Sequence, residues 1–521
     1  MASDSRERTF PIFGGVHSEV TPADIAQGPG DEDWKGVLSL AQADNAMQPT
    51  SRHDLQTRPG MADVRATAFT VGGTAGVITG GVHLGEIADR LVLTAAVAGQ
   101  RHTIFEDDAN PGTEKIAGTN FTNSPNNLIT SLLFTDGAAA MAIFLAMSRD
   151  LPQSVNSAGT RADFTIAGTG LTSLKPYSGE IFGQRLVAIN CDRDGTVEDD
   201  FYYWSDLRDG NRVSDYRLQR DSLQTSAKDK LRCIKKFGEV AIVHKLNNVY
   251  GLAVNPLASK PFNHRELPMG RYRGACGPLA CVEADGYLWW MSWTNLHRMN
   301  VEGRVDDVGD RIKSLIAGLQ DDRREYCVAG YDAVNNLVLF AVSNSGDTQH
   351  KRIIAVNTKT LAIFPNWTLS VNAMVQRMVS SDPRLILGGY SGKYRNFPSG
   401  TTGNLDDAAS AIDCDIITPR HHLGAPTIVK LWEYLKVRFK KTASEAVTVQ
   451  YRMDDESSWN SFAESPYTVT GTAGDVDLKL FPLMKAGVYG QFRFRDAISG
   501  DVLRIQEYSI GHRLLHRYGG V

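Results

Sequence analysis

Long apolar runs are missing from this sequence. The longest, GAAAMAIFLAM at 137–147, has 11 residues, about half of what a membrane-crossing helix needs, so no transmembrane helix is expected. Cysteine is scarce as well, with six in 521 residues, too few for the disulfide framework of a small secreted module. The closest two, Cys276 and Cys281 in CGPLAC, have neither zinc-knuckle nor CxxC redox spacing and read as buried free thiols. No charge of one sign dominates. The 55 basic and 59 acidic side chains leave a net charge of −4, which gives no basis for wrapping nucleic acid but does not prevent DNA from passing without sticking. The N-terminal MASDSRERTF has no apolar stretch of the signal-peptide kind, so export is not expected and the triplets Asn120-Phe-Thr and Asn366-Trp-Thr carry no glycan reading.

Helical periodicity is also nearly absent. One good helix candidate lies at about 305–322, where Val308, Ile312, Leu315 and Ile316 share a face and Gly318 stands near the end. What is present instead is a repeat of short apolar runs bounded by Gly, Asp, Asn and Pro. The runs can be anchored at Leu91, Met141, Leu186, Val240, Leu288, Leu337 and Leu385, at intervals of 50, 45, 54, 48, 49 and 48 residues. A four-stranded blade with its loops needs roughly 40–50 residues, so the period predicts a mainly β fold, a β-propeller of six to eight blades. Hairpin turns are written between the runs: Asp285-Gly286, Asn247-Asn248 and Asn335-Asn336 are pairs that tolerate the left-handed dihedrals of tight turns.

Three regions follow. Residues 1–60 lack sustained periodicity and carry PxFxG near Phe13, GPGDED around Gly30 and QPTSRHD up to Asp54; they read as an N-terminal arm and loops, adding strands to the propeller or to a partner. Residues 61–424 form the propeller, with the 305–322 helix as an insertion. Residues 425–521 are expected to form an antiparallel β-sandwich with a basic tail, HRLLHRYGGV. There Leu435, Val437 and Phe439 alternate with Lys436, Arg438 and Lys440. Val447, Val449 and Tyr451, then Val476, Leu478 and Leu480, then Phe492 and Phe494 repeat the pattern, which places one face of each strand in a core.

Chemistry-bearing groups are few. The acidic loop DRDGTVEDD holds Asp192, Asp194, Glu198, Asp199 and Asp200; its oxygens could take calcium, but EF-hand spacing is lacking, and the favoured reading is a solvated loop or a surface for a basic neighbour. His421 and His422 are adjacent and diverge if they lie in a strand. GTGLTS at 168–173 lacks dinucleotide-binding spacing, and Asp285, Asp332, Asp406 and Asp407 read as turn residues. In the strand Tyr287–Trp293, alternation sets Tyr287, Trp289, Met291 and Trp293 against Trp290, the two-sided apolar pattern of packing between blades rather than of a sugar or base platform. RCIKKF at 232–237, RYR at 271–273 and the basic side of 436–440 fall in separate modules and form no stripe. No catalytic, cofactor or metal site is assigned, and no enzymatic activity is expected.

FYYWSDLRDGNRVSDY at 201–216, EVAIVHKLNNVYGL at 239–252 and GACGPLACVEADGYLWWMS at 274–292 resemble blade phrases in tail proteins of short-tailed bacteriophages, the propeller-bearing nozzle or tail-tubular component. The resemblance covers about 180–430 well and 430–521 loosely. It implies a structural virion protein, assembled in the host cytoplasm, without cofactor or active site. It further implies a homo-oligomeric ring, commonly sixfold, around the DNA exit channel, with a portal-proximal adaptor above and fibre, spike or needle proteins around or below. Viral DNA would pass without sequence-specific binding. The competing readings are a carbohydrate-active propeller with its carboxylates near 192–200, and a host-receptor-binding propeller; fold alone does not separate them.

Overall fold

The structure, a computed structural model, describes residues 6–16, 38–48, 55–84, 90–116, 118–136, 139–209, 212–215, 219–223, 229–255, 260–379, 382–398, 407, 410–423, 427–441, 446–496 and 502–515. The Gly30 stretch, Asp54, Asp406 and the tail beyond 515 lie outside them. No helix among the described residues is long and apolar enough to cross a membrane.

A strand that is covered on both faces is apolar throughout, and the recurring runs have this character: Leu91–Val97 and Leu337–Val342 are buried at every position. All seven sequence anchors fall in the second strand of a sheet, each paired to an inner neighbour. The inner strands are Thr74–His83, Thr130–Asp136, Leu171–Phe182, Leu231–Phe237, Cys281–Ala284, Val328–Asp332 and Ala373–Val379. Each touches the next, and the last touches the first. The chain therefore forms a β-propeller, in which the described residues make seven sheets, numbered here blades 1 to 7.

The turn chemistry is realised locally. Asp285 (φ 54°) and Gly286 (φ 77°) make a two-residue hairpin between Ala284 and Tyr287. Asn336 (φ 55°) closes the 333–336 turn, and Lys245 donates its N–H to the Asn248 carbonyl at 2.8 Å. The helix expected over 305–322 is shorter. Val305–Asp307 instead pairs with Leu296–Met299 as the outer strand of blade 5. A 3₁₀ turn at Gly309–Ile312 and an α-helix at Lys313–Ala317 follow, burying Ile312 and Ile316 as the periodicity requires. Sheet completion by three residues wins over a longer isolated helix, which has little stability of its own.

Ring closure brings in the N-terminal region. Ala62–Asp63 is the outer strand of blade 7, paired with Asn396 and Arg395, and Asp63 binds Lys393 and Arg395, each at 2.8 Å. Inside the closure, Asp107 of blade 1 accepts from Tyr394 Oη at 2.6 Å and from Arg65 Nε at 2.5 Å, with Arg377 Nη1 at 3.2 Å. Burial, then the hydrogen bond to Asp107, hold the Tyr394 phenol well above its ordinary pKa, so it stays a donor.

The second body is a two-sheet sandwich. One sheet runs Val476–Gly487, Lys430–Lys440, Arg504–Leu514, Arg6–Val16; the other runs Gln42–Asp44, Cys414–Ile417, Gly490–Asp496, Ala446–Met453. It thus recruits strands from the N-terminal arm and from 414–417. Leu435, Val437 and Phe439 face Val447, Val449, Phe492 and Phe494 in a core that extends through Leu40, Ala43, Ala46 and Met47 into blades 6 and 7.

One alternating strand is inverted relative to expectation. Val476, Leu478 and Leu480 point outward, while Asp477 and Lys479 turn toward a covering segment, where Asp477 accepts from Tyr467 Oη and Lys479 pairs with Glu464. Period two identifies two faces but not which one is covered.

Asp107→Ala should destabilise the protein by about 3–5 kcal/mol, because it strands Arg377 and Tyr394 at the closure. The denaturation midpoint in urea checks this, and an unchanged midpoint contradicts the closure role.

Candidate functional site at the propeller axis

Inner strands can crowd an axis only where side chains are absent. A Cβ at Gly80 would lie 2.5 Å from the Ile129 carbonyl oxygen, one at Gly179 would lie 2.7 Å from Leu145 Cδ1, and one at Gly330 would lie 2.7 Å from Met374 Sδ. The axis that remains is a cavity of about 340 Å³ to which every blade contributes, with Val82, Leu132, Met374 and Gln376 in its wall beside Glu180 and Lys235. Lys235 Nζ stands 3.4 Å from Glu180 Oε2, and this carboxylate raises the lysine's pKa against the opposing effect of enclosure. The axis therefore offers a mixed wall, in which Thr130, Ser131 and Gln376 stand among the apolar groups and Glu180 and Lys235 form an ion pair. Its volume is far too small for a DNA duplex, whose major groove alone is about 12 Å wide.

The residues singled out from the sequence are dispersed and already engaged. In the acidic loop, Asp194 and Gly195 form the turn between Arg193 and Thr196, and Asp194 caps the Ser173 N–H at 2.7 Å. Asp192 accepts from Gly195 N at 2.8 Å, Glu198 binds Arg193 and Arg220, Asp199 binds Lys230, and Asp200 accepts from Ser222 Oγ. No cluster of metal-binding groups occurs among the described residues. Gly170 (φ 73°) places GTGLTS in the hairpin before Leu171–Phe182. Asp285 pairs with Lys359 and Asp407 with Arg58. Asp332 accepts from Asn335 within its turn, and burial raises its pKa to about 6.

Other candidates serve packing and pairing. All six cysteines are buried and free. Trp289 and Met291 pack toward blade 6 against Val338 and Phe340, whereas Leu288 and Trp290 pack toward blade 4 against Cys233 and Ile242. The basic groups are divided: Arg232 binds Glu325, Lys235 binds Glu180, Arg273 binds Asp307 and Arg438 binds Glu507.

Sequence reasoning missed one constellation. Ser292 Oγ lies 2.9 Å from His297 Nε2, and His297 Nδ1 lies 2.8 Å from Asp307 Oδ1. The order is that of a hydrolytic triad, but the serine is buried and its Oγ already accepts from Asn295 N at 2.9 Å in a local turn. Related pairs recur elsewhere. His102 Nε2 meets Thr79 Oγ1 at 2.7 Å in blade 1, His350 Nδ1 meets Ser343 Oγ at 2.9 Å in blade 6, and His421 Nε2 meets Tyr508 Oη at 2.9 Å in the sandwich. The pattern is a buried imidazole tying strands together through a hydroxyl. His422 is buried beside His421.

No family model matches the sequence, and no curated protein matches it. Among solved structures, the chain is similar to the WD40 β-propeller domain of Doa1, at 8% identity over 65% of this chain and 96% of that one, with a TM-score of 0.38. It is also similar to the extracellular domain of a hybrid two component system from B. thetaiotaomicron, at 11% identity over 88% of this chain and 63% of that one, with a TM-score of 0.42. Neither similarity carries a functional argument.

Burial lowers the pKa of His102 and His350 to about 4 and of His244 and His421 to about 3. A base with a depressed folded pKa contributes stability that is complete above its unfolded value near 6.5 and is lost as pH falls through the window to about 4. Each such histidine should cost about 2 kcal/mol at pH 5; the raised Asp332 opposes this as a single group. The urea midpoint should therefore be level from pH 8 to 7 and fall steeply below 6.5, whereas a level profile down to pH 4.5 would contradict it. Separately, Trp290→Ala should cost about 3–5 kcal/mol, measured by the same midpoint at pH 7.5.

Proposed function

We propose that this chain is a structural, non-catalytic building block of a short-tailed bacteriophage tail, a nozzle subunit that surrounds the DNA exit channel together with further copies. The observation that carries the reading is the continuous core that joins sandwich and propeller through Leu40, Ala43, Ala46 and Met47. A propeller fused in this way to a second β body is a stiff wedge, and stiff wedges repeated about an axis build a tube. The use of ionisable groups within the fold supports the same reading, since the carboxylates of the 192–200 loop are committed to turns and ion pairs. In this reading the DNA path lies in the space between copies, because the propeller axis itself is narrow.

The test is electron microscopy of purified phage particles, with this chain located in the density. Closed multimers around the tail axis are the expected result. Density confined to a peripheral projection favours receptor binding, and absence from particles, with turnover on a glycan, favours the carbohydrate-active alternative.

A further inference from the structure

The strand Val476–Gly487 lies at the rim of the sandwich and, among the described residues, pairs with Lys430–Lys440 alone. Its Val476, Leu478 and Leu480 are 51, 52 and 46% exposed on one face. Proteins ordinarily blunt a long edge by shortening it or placing charge on it. Here the charged members of the stretch, Asp477 and Lys479, engage Tyr467, Thr470 and Glu464 on the opposite face, and a bare apolar row is left outside. Pro482 has no N–H to donate, so pairing along the free edge is confined to about 476–481.

The sequence of this stretch is complementary to itself in one antiparallel register. Centred on Leu478, a two-fold pairing sets Leu478 opposite Leu478, Val476 opposite Leu480, and Asp477 opposite Lys479. Neighbouring registers fail. Centring on Asp477 or on Lys479 opposes like charges, centring on Val476 opposes Asp475 to Asp477, and centring on Leu480 opposes Leu478 to Pro482, which has no N–H for the ladder. We propose that this edge joins two copies of the chain into an antiparallel dimer whose ladder is centred on Leu478. The contact is isologous and closes on itself, unlike the head-to-tail contacts of a ring. It goes beyond the tail reading and stands on its own observation, so either can fail without the other.

The test uses the full-length chain in sedimentation velocity over a dilution series, with dimer as the expected species. Leu478→Lys alters an exposed position, so the far-ultraviolet circular dichroism spectrum should be unchanged while the dimer dissociation constant rises on the order of a hundredfold, because two leucine contacts are replaced by opposed charges. Leu478→Cys should give a disulfide-linked dimer when diamide removes the two thiol hydrogens, since directly opposed residues lie within disulfide reach. Val197→Cys, exposed elsewhere at 61%, should not. A monomer at all micromolar concentrations overturns the proposal. So does an assembly of any size that Leu478→Lys leaves intact, or equal cross-linking of the two cysteine variants.

Discussion

Arg58 is the charge on which the two bodies are hung together. Its side chain is 1% exposed, and Nη1 and Nη2 take one carboxylate oxygen each of Asp407. Nε donates to Asn45 Oδ1 at 2.9 Å, and Asn45 Nδ2 in turn reaches Thr368 Oγ1 and the Asp413 carbonyl, both at 2.9 Å. Trp367 Nε1 donates to the Ala46 carbonyl at 2.7 Å beside this network. A buried guanidinium is tolerable only when its donors are satisfied in good geometry, so the network admits one path for the chain. That path places Gln42–Asp44 in the sandwich and Ala62–Asp63 in blade 7. The network therefore ties the chain path of the propeller's closing strand to that of a sandwich strand.

The same logic explains why groups with the look of chemistry are engaged with one another inside the fold. A propeller presents large apolar sheets to one another, and polar atoms caught between them must find partners locally. Ser292, His297 and Asp307 satisfy each other across blade 5, as do Thr79 and His102 in blade 1 and Ser343 and His350 in blade 6. A catalytic serine needs room for a reacting carbon beside its oxygen; the Ser292 oxygen is instead filled by the Asn295 N–H. Geometry alone would have assigned a triad here, and the local turn removes it.

The blades were legible in the sequence because the middle of a doubly covered strand is apolar, and seven such short runs recur at a regular interval, two of them in strands buried at every position. Turns were legible for a similarly local reason: Asp285-Gly286 can adopt left-handed dihedrals on its own. What escaped was non-local. A two-residue strand at Ala62–Asp63 has no periodicity to read, and nothing in Arg6–Val16 announces Arg504–Leu514 as its partner. Ser292, His297 and Asp307 are spaced by strand register rather than by a local motif. At 476–480 the alternation was read correctly as two faces and assigned to the wrong side, because Tyr467, in another segment, decides which face is covered.

That inversion has a physical counterpart in the two rims of the sandwich sheet. One rim, Arg504–Leu514, is capped by the chain's own Arg6–Val16 in a ladder from Arg6 opposite His512 to Pro11 opposite Glu507. The other rim, Val476–Gly487, pairs inward only, among the described residues. A protein that spends an N-terminal segment on one edge and leaves an apolar row on the other has treated equivalent hazards unequally. Charge on the exposed positions would have sufficed to blunt the second edge, since Lys436, Arg438 and Lys440 already lie opposite Leu480, Leu478 and Val476 in the neighbouring strand. The apolar row is thus a departure from the local rule of the same sheet, and departures of this kind mark surfaces whose stable state includes a second molecule.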